Sequence, residues 1–367
     1  MPSHASSSAP KSKKDHWLVL VAAFLGWLFD GFEIGLFPVV ARPALKGLLG
    51  NPPDQLIGEW MGIITAVFLV GAAVGGALFG WLGDRIGRVR AMSLSILCYS
   101  LFSGAGYFAE APWHLAVFRF IAALGMGGEW ALGVALVMEV WPEKHRPWLA
   151  GMIGAAANLG MVLVGVIAFY VKVTPTSWRW MFLVGAAPAV LTLLVRLFVP
   201  ESEQWRESVK DKKAEPFKEL LQSPFLGRTL IGVALASVAL IGTWGSVQWI
   251  PLWVDQLTGG TMPTAKASAQ MTSSLGAVFG SLLIPILLGP VSRRWGYFMI
   301  CAASLLVCGW LFRSPQEYGA SMLWMIAAAG FVTASFYGWF PLYFPELFPA
   351  RMRATGQGMC FNMGRVI

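Results

Sequence analysis

Residues 17–40 read WLVLVAAFLGWLFDGFEIGLFPVV, an apolar run long enough to cross roughly 30 Å of hydrocarbon as one helix. Two acids, Asp30 and Glu33, sit inside it. A carboxylate at the centre of a bilayer costs roughly 2.5–3.5 kcal/mol even on the lenient insertion scale. Three residues apart, the two acids share one helical face. That face must look into protein or water and cannot look into lipid. Such a span belongs inside a bundle, and the rest of the chain supplies the bundle.

The 367 residues are 56% hydrophobic and only 13% charged. Long apolar runs recur along the whole length, which predicts an all-α polytopic membrane protein. A β-barrel would show short alternating segments instead. Ten complete spans are predicted, at about 17–40, 59–82, 91–109, 113–138, 148–170, 178–199, 226–254, 267–289, 297–313 and 320–342. An eleventh starts near Arg353 and reaches Ile367 in mid-helix, so the second bundle reads as incomplete, with one and a half spans missing from a twelve-helix design. Trp17, Trp60, Trp113, Trp148 and Trp178 fall near span ends, as interfacial belts require.

Residues 1–16 are polar and basic and are expected to form a disordered tail. They do not introduce a signal peptide, because the run that follows is full length, carries two acids and has no small-residue cleavage site. Nineteen of the 27 lysines and arginines fall on the side of this tail and six on the other, while Arg119 and Arg365 lie within spans. That bias puts the N-terminus in the cytosol. The expected location is the plasma membrane, or the inner membrane of a bacterium. The net charge of +8 is therefore topological and points to no nucleic-acid partner. Cys98, Cys301, Cys308 and Cys360 all lie in apolar runs, without disulfide or metal spacing.

The longest polar insert, Pro200 to Arg228, alternates acids with bases and reads as a cytosolic linker over 200–225. It divides a six-helix bundle over 17–199 from a second bundle over 226–367. The two look related. Glu139 is followed seven residues later by Arg146, and Glu346 likewise by Arg353. Each pair precedes a Gly-x3-Asn-x-Gly pattern, Gly154, Asn158 and Gly160 and then Gly358, Asn362 and Gly364, with an offset that differs by three residues. Parallel repeats of six helices build one large class of carriers.

The loop after the second span carries Gly80, Gly83, Asp84, Arg85, Gly87, Arg88 and Arg90. It resembles the loop signature of the major facilitator superfamily. A weaker copy without the acid follows the eighth span, with Gly289, Arg293, Arg294 and Gly296. The fourth span runs from Arg119 through Gly127, Gly128, Glu129 and Trp130, followed by Glu139, Pro142 and Arg146. This stretch resembles sugar porters and the metabolite, sialate and lactate proton symporters, with Ala123 where the family often has Gly. Asp30-Gly31-Phe32-Glu33 resembles the Asp-Gly-Phe-Asp run of aromatic-acid and sialate symporters, and Pro200-Glu201-Ser202 matches a further family element.

The resemblance implies two rocking bundles, a loop that braces the closed inner interface without touching substrate, and a monomer without cofactor or metal. It also implies that an acid of the first span and an arginine of the fourth couple protons to transport. Elementary geometry agrees. At 1.5 Å per residue, Asp30 lies about 20 Å and Glu33 about 24 Å above the inner end of their span, with Arg119 about 28 Å and Glu129 about 14 Å above theirs. Asp30, Glu33 and Arg119 thus form the expected proton-coupling group, where protonation of either acid releases Arg119. A static ion pair that only pins the two spans is the alternative. Glu129 is expected against the arginines of the inner loop. Gly83, Asp84, Arg85, Gly87, Arg88, Glu129, Glu139, Arg146, Arg293, Glu346 and Arg353 are expected to gate the inner face through salt bridges.

Substrate is expected to meet Arg119, Asn158, Trp244, Gln248, Tyr337 and Trp339, since an amide within a span needs a partner. Gly242, Gly245 and Pro251 would let the seventh span bend. Histidines occur only at 4, 16, 114 and 145, and no Gly-rich nucleotide loop with a Lys is present, which argues against an enzyme. The expectation is a secondary active transporter that takes a small organic acid anion together with protons. A proton-coupled sugar or polyol symporter and a transporter-like membrane sensor are the alternatives.

Overall fold

The computed structural model describes residues 13–171, 173–210, 215–259, 261–314 and 317–365. The first twelve residues of the expected tail, Lys172, and Asp211, Lys212 and Lys213 of the linker lie outside them. Residues 13–16 belong to the first helix.

All regular elements among the described residues are helical. They are α1 (Lys13–Leu49), α2 (Asp54–Ile86), α3 (Arg88–Ala105), α4 (Pro112–Val140), α5 (Arg146–Tyr170), α6 (Arg179–Gly185), α7 (Ala189–Phe198), α8 (Glu203–Ser208), α9 (Pro216–Leu220), α10 (Phe225–Trp244), α11 (Ile250–Leu257), α12 (Pro263–Leu287), α13 (Arg293–Arg313), α14 (Ala320–Leu347) and α15 (Arg353–Met363). Nine helical segments among the described residues are long and apolar enough to span a membrane. The predicted sixth span is not one of them, because a turn over 186–188 divides it into α6 and α7. Pro188 has no N–H to give the carbonyl four residues back, and its ring crowds that carbonyl. The seventh span breaks between α10 and α11, where Ser246 leaves the helical path and Pro251 stands in the first turn of the new helix.

Helices α1 to α4 with α6 and α7 pack chiefly on one another, as do α10 to α14, while α5 and α15 lie mostly against the opposite group. The two groups meet along α5 with α12 and along α2 with α15. In lipid no hydrophobic force drives helices together, so close backbone approach and dispersion must hold them. The glycines serve this purpose. A Cβ on Gly31 would overlap the carbonyl of Ala157, and one on Gly160 would overlap that of Leu28, so α1 and α5 cross at backbone contact.

Gly127 of α4 lies equally close to the Ala72 carbonyl of α2 and would put a Cβ 2.7 Å from the Gly76 nitrogen. Forced overpacking costs about 1–3 kcal/mol. Gly127→Val is therefore expected to lower the thermal midpoint of the purified protein, followed by fluorescence-detected size exclusion. An unchanged midpoint would mean that α2 and α4 can part without cost.

Candidate functional site

Between the two groups of helices lies a cavity. Trp27 and Ile34 of α1, Asn158 of α5, Thr243 and Trp244 of α10, Gln248, Gln270 of α12, Tyr337 of α14 and Arg365 just beyond α15 line it. A neighbouring cavity shares Ile34, Trp244, Gln248 and Pro251 and is walled by Arg119 and Lys266. The break between α10 and α11 places Trp244 and Gln248 where both cavities meet.

Four of the expected substrate contacts, Asn158, Trp244, Gln248 and Tyr337, thus reach the central cavity. Asn158 Nδ2 donates to the Gly154 carbonyl at 3.1 Å and to Ser281 Oγ at 3.2 Å, so the amide is satisfied across α5 and α12. Tyr337 shares a hydrogen bond of 3.0 Å with Thr243. Trp339 lies elsewhere. Two residues beyond Tyr337, it points about 200° further round the helix, where it packs 5.2 Å from the Tyr297 ring and 4.8 Å from that of Tyr343.

The acids of the first span divide between two partners. Glu33 forms a buried ion pair with Arg119 and accepts a 2.7 Å hydrogen bond from Ser103. The Arg119 guanidinium also lies 4.9 Å from the Phe37 ring and 4.6 Å from that of Phe68, contacts worth more when desolvated. Asp30 takes no part in this pair. Its carboxyl faces that of Glu129, and none of the four oxygens accepts a hydrogen bond.

Glu129 sits beside Gly26, where a Cβ would overlap its carboxyl, and away from the inner arginines. The depth arithmetic had separated Asp30 and Glu129 by about 6 Å along the bilayer normal.

Arg365 was read from sequence only as a charge within a span. The structure turns it into the cavity, with its guanidinium 5.1 Å from the Phe361 ring and its Nε unpartnered. The signal that could have found it is an arginine inside an apolar run, the same signal that singled out Arg119.

At the end where the arginine-rich loops gather, the cavity is shut. Trp130 stacks on Phe361 at 4.2 Å, with Phe344 and Trp27 edge-on or tilted around them. Below this plug lies a charged latch. Asp84 accepts from Arg88 at 2.5 Å, from the Thr355 amide at 2.8 Å and from the Thr355 hydroxyl at 2.5 Å. Arg88 also donates to the Ala350 carbonyl at 2.5 Å and to Glu139 at 3.1 Å. Glu139 takes Arg353 as well, at 3.2 Å. These bonds tie the end of α2 and the start of α3 to the start of α15.

Gly87 permits the turn into α3 with φ of 108°, a value strained for any side chain. Glu201 caps the exposed amides of α3, accepting from Arg88 N at 2.9 Å and Val89 N at 3.2 Å. That is the work of the Pro-Glu-Ser element, which the sequence did not disclose. Gly83 packs on Leu132, and Arg85 is exposed and lies over the Trp81 ring at 4.9 Å. In the second loop, Arg293 pairs with Glu346 at 2.9 Å. Arg146 pairs with Glu143 at 3.0 Å, not with Glu139.

The profile of the Major Facilitator Superfamily matches residues 19–367. A protein of Cupriavidus pinatubonensis named "Probable 4-methylmuconolactone transporter" is 30% identical over 368 residues, covering 98% of this chain and 82% of its own. The "Cis,cis-muconate transport protein" of Acinetobacter baylyi is 28% identical over 360 residues, covering 95% and 84%. Among solved structures, that of the proton:xylose symporter XylE bound to 6-bromo-6-deoxy-D-glucose superimposes with a TM-score of 0.78 at 17% identity, over 95% of this chain and 86% of that one. That likeness establishes the fold.

Proposed function

The chain belongs to the Major Facilitator Superfamily and is a multi-pass membrane transporter, not an enzyme, and from that premise we propose that it carries a small organic acid anion together with protons by alternating access. The observation that carries this reading is the charge arrangement at the cavity. Arg365 lines it without an ion-paired acid among the described residues, and Arg119 of the buried Glu33–Arg119 pair walls the neighbouring cavity. A guanidinium that lines a cavity without an acid partner favours a carboxylate, and an anionic substrate supplies one. The muconate and muconolactone transport named for the two relatives supports the same substrate class. Glu33 and Arg119 form the coupling pair in this reading, while Asn158, Gln248, Trp244 and Tyr337 orient the bound acid.

The charge bias of the loops supports a cytosolic N-terminus, so the latch closes the cytosolic side and the cavity is offered to the outside. The protein acts as a monomer in the plasma membrane, the inner membrane in a bacterium, with residues 200–225 linking two bundles. A sugar or polyol symporter is the second reading, favoured by the uncharged polar lining of Asn158, Thr243, Gln248 and Gln270.

Uptake into proteoliposomes of labelled cis,cis-muconate, 4-methylmuconolactone and xylose, with and without an inward proton gradient, tests both. Concentrative uptake of an acid that a protonophore collapses is the expected result. Gradient-driven accumulation of xylose with no acid taken up would replace the first reading by the second.

A further inference from the structure

The cavity that adjoins the central one has a chemistry of its own. On α1 its wall runs from Ile34 to Phe37 and Pro38, where that of the central cavity runs from Trp27 to Ile34. On α12 it takes Lys266, where the central cavity takes Gln270, Ser273 and Ser274. Trp27 belongs to the plug above the latch, so both helices place this second cavity farther from the latch, as an outer chamber stacked on the inner one. Lys266 and Gln270 are one turn apart on one helical face, about 6 Å along the axis.

No acid lines the outer chamber, and its two cations differ. Arg119 is held by Glu33 and lies over the Phe37 and Phe68 rings. Lys266 is half-buried and enters no ion pair or hydrogen bond among the described residues. The charges that act on it through space are Asp255 of α11 and Arg42 of α1, and Arg42 is paired with Asp54 at 2.8 Å. An ammonium at the wall of an apolar chamber has given up part of its water and gained no anion in exchange.

The rest of the wall is largely aromatic and aliphatic. Trp249 is 45% exposed, and its indole Nε1 donates to the Trp244 carbonyl at 2.8 Å, which fixes the ring across the break between α10 and α11. Trp244 stands 6.3 Å from the Phe68 ring. Thr65 and Gln248 are the uncharged polar side chains there, and Thr65 already donates its hydroxyl to the Met61 carbonyl. Such a wall suits a flat apolar body and leaves sugar-like hydroxyls without partners.

We propose that the outer chamber is a second carboxylate site, in which Lys266 binds the anionic end of a small acid while Trp244 and Trp249 pack against its flat apolar body. Resting on the reading of the chain as an organic acid carrier, this names the kind of acid: unsaturated or aromatic, with few hydroxyls. Gln248, common to both cavities, marks the passage between two stations, one anchored by Lys266 and the next by Arg365.

Saturation-transfer NMR on the full chain in nanodiscs tests this, with benzoate as the probe and benzamide as its uncharged counterpart, each corrected for empty nanodiscs. In Arg365→Gln the central cavity loses its cation, yet the benzoate signal should persist, because the outer site does not use that residue. Adding Lys266→Gln should lower the signal at least about fivefold, and Lys266→Arg in the same background should keep it. Benzamide should give little signal in any form. Equal thermal midpoints, with the signal kept by Lys266→Arg, exclude misfolding as the cause.

Loss of the benzoate signal in Arg365→Gln alone would overturn the outer site, and the carrier reading would survive with one carboxylate site at Arg365. An undiminished signal in Arg365→Gln/Lys266→Gln, or benzamide binding as well as benzoate, would also overturn it. If the Lys266 site holds and no acid of the uptake panel is transported, the site stands and the carrier reading fails.

Discussion

Asp30→Asn is expected to abolish gradient-driven accumulation while exchange of internal for external substrate continues. Asparagine is nearly the shape of a protonated aspartate and cannot ionise, so the variant is fixed in the proton-loaded condition. One proton moving down one pH unit can sustain about a tenfold concentration ratio, and the variant should lose that factor. Counterflow needs no net proton movement and should persist. Asp30 is suited to this role because it is buried and neither of its oxygens is held by a hydrogen bond. Uptake and counterflow measured side by side in proteoliposomes decide it. Full uphill accumulation in the variant would remove Asp30 from proton coupling.

The second large effect is expected at the latch. Arg88 is fully buried and neutralises Asp84 and Glu139 together. In Arg88→Ala, Asp84 would lose its ion pair and Glu139 would keep only Arg353. Breaking a buried pair from one side costs about 3–5 kcal/mol. Conformers of one protein commonly differ by only a few kcal/mol, so this loss is enough to reverse their order. The population should move toward the state open at the arginine-rich loops. Spin labels at the exposed positions 85 and 294, in a background without the four native cysteines, should report longer distances in the variant. Identical distance distributions would show that the latch does not set the equilibrium.

Both effects concern residues that sequence reading had singled out, and the reason is physical. A charge in an apolar run is costly wherever it points, so Asp30, Glu33, Arg119 and Glu129 stand out from composition alone. The helical architecture was legible for the same reason, because span length follows bilayer thickness. Partnership was less legible. Depth along a helix does not name the partner, so Glu129 was placed with the inner arginines when it faces Asp30. The crossed latch was equally hidden, since Glu139 reaches Arg353 over more than two hundred positions. Trp339 shows the limit for aromatic residues, whose position in a span does not tell which side of the helix they cover. The split of the sixth span turned on Pro188, which apolar counting passes over.

The seam between α5 and α12 has one more implication. Gly151 would place a Cβ 2.6 Å from the Leu282 carbonyl, and Gly165 one 2.7 Å from Met271. Those two glycines are separated by about 21 Å along α5, so the two helices stay closely packed over most of the bilayer depth. Such a joint has no slack for sliding but can still turn, like an axle. The α2–α15 contact then works as the clasp, opening while the axle stays shut. Asn158, tied to Ser281 on the axle itself, hardly travels during the swing, so a ligand anchored to that amide would keep one stationary contact from entry to exit.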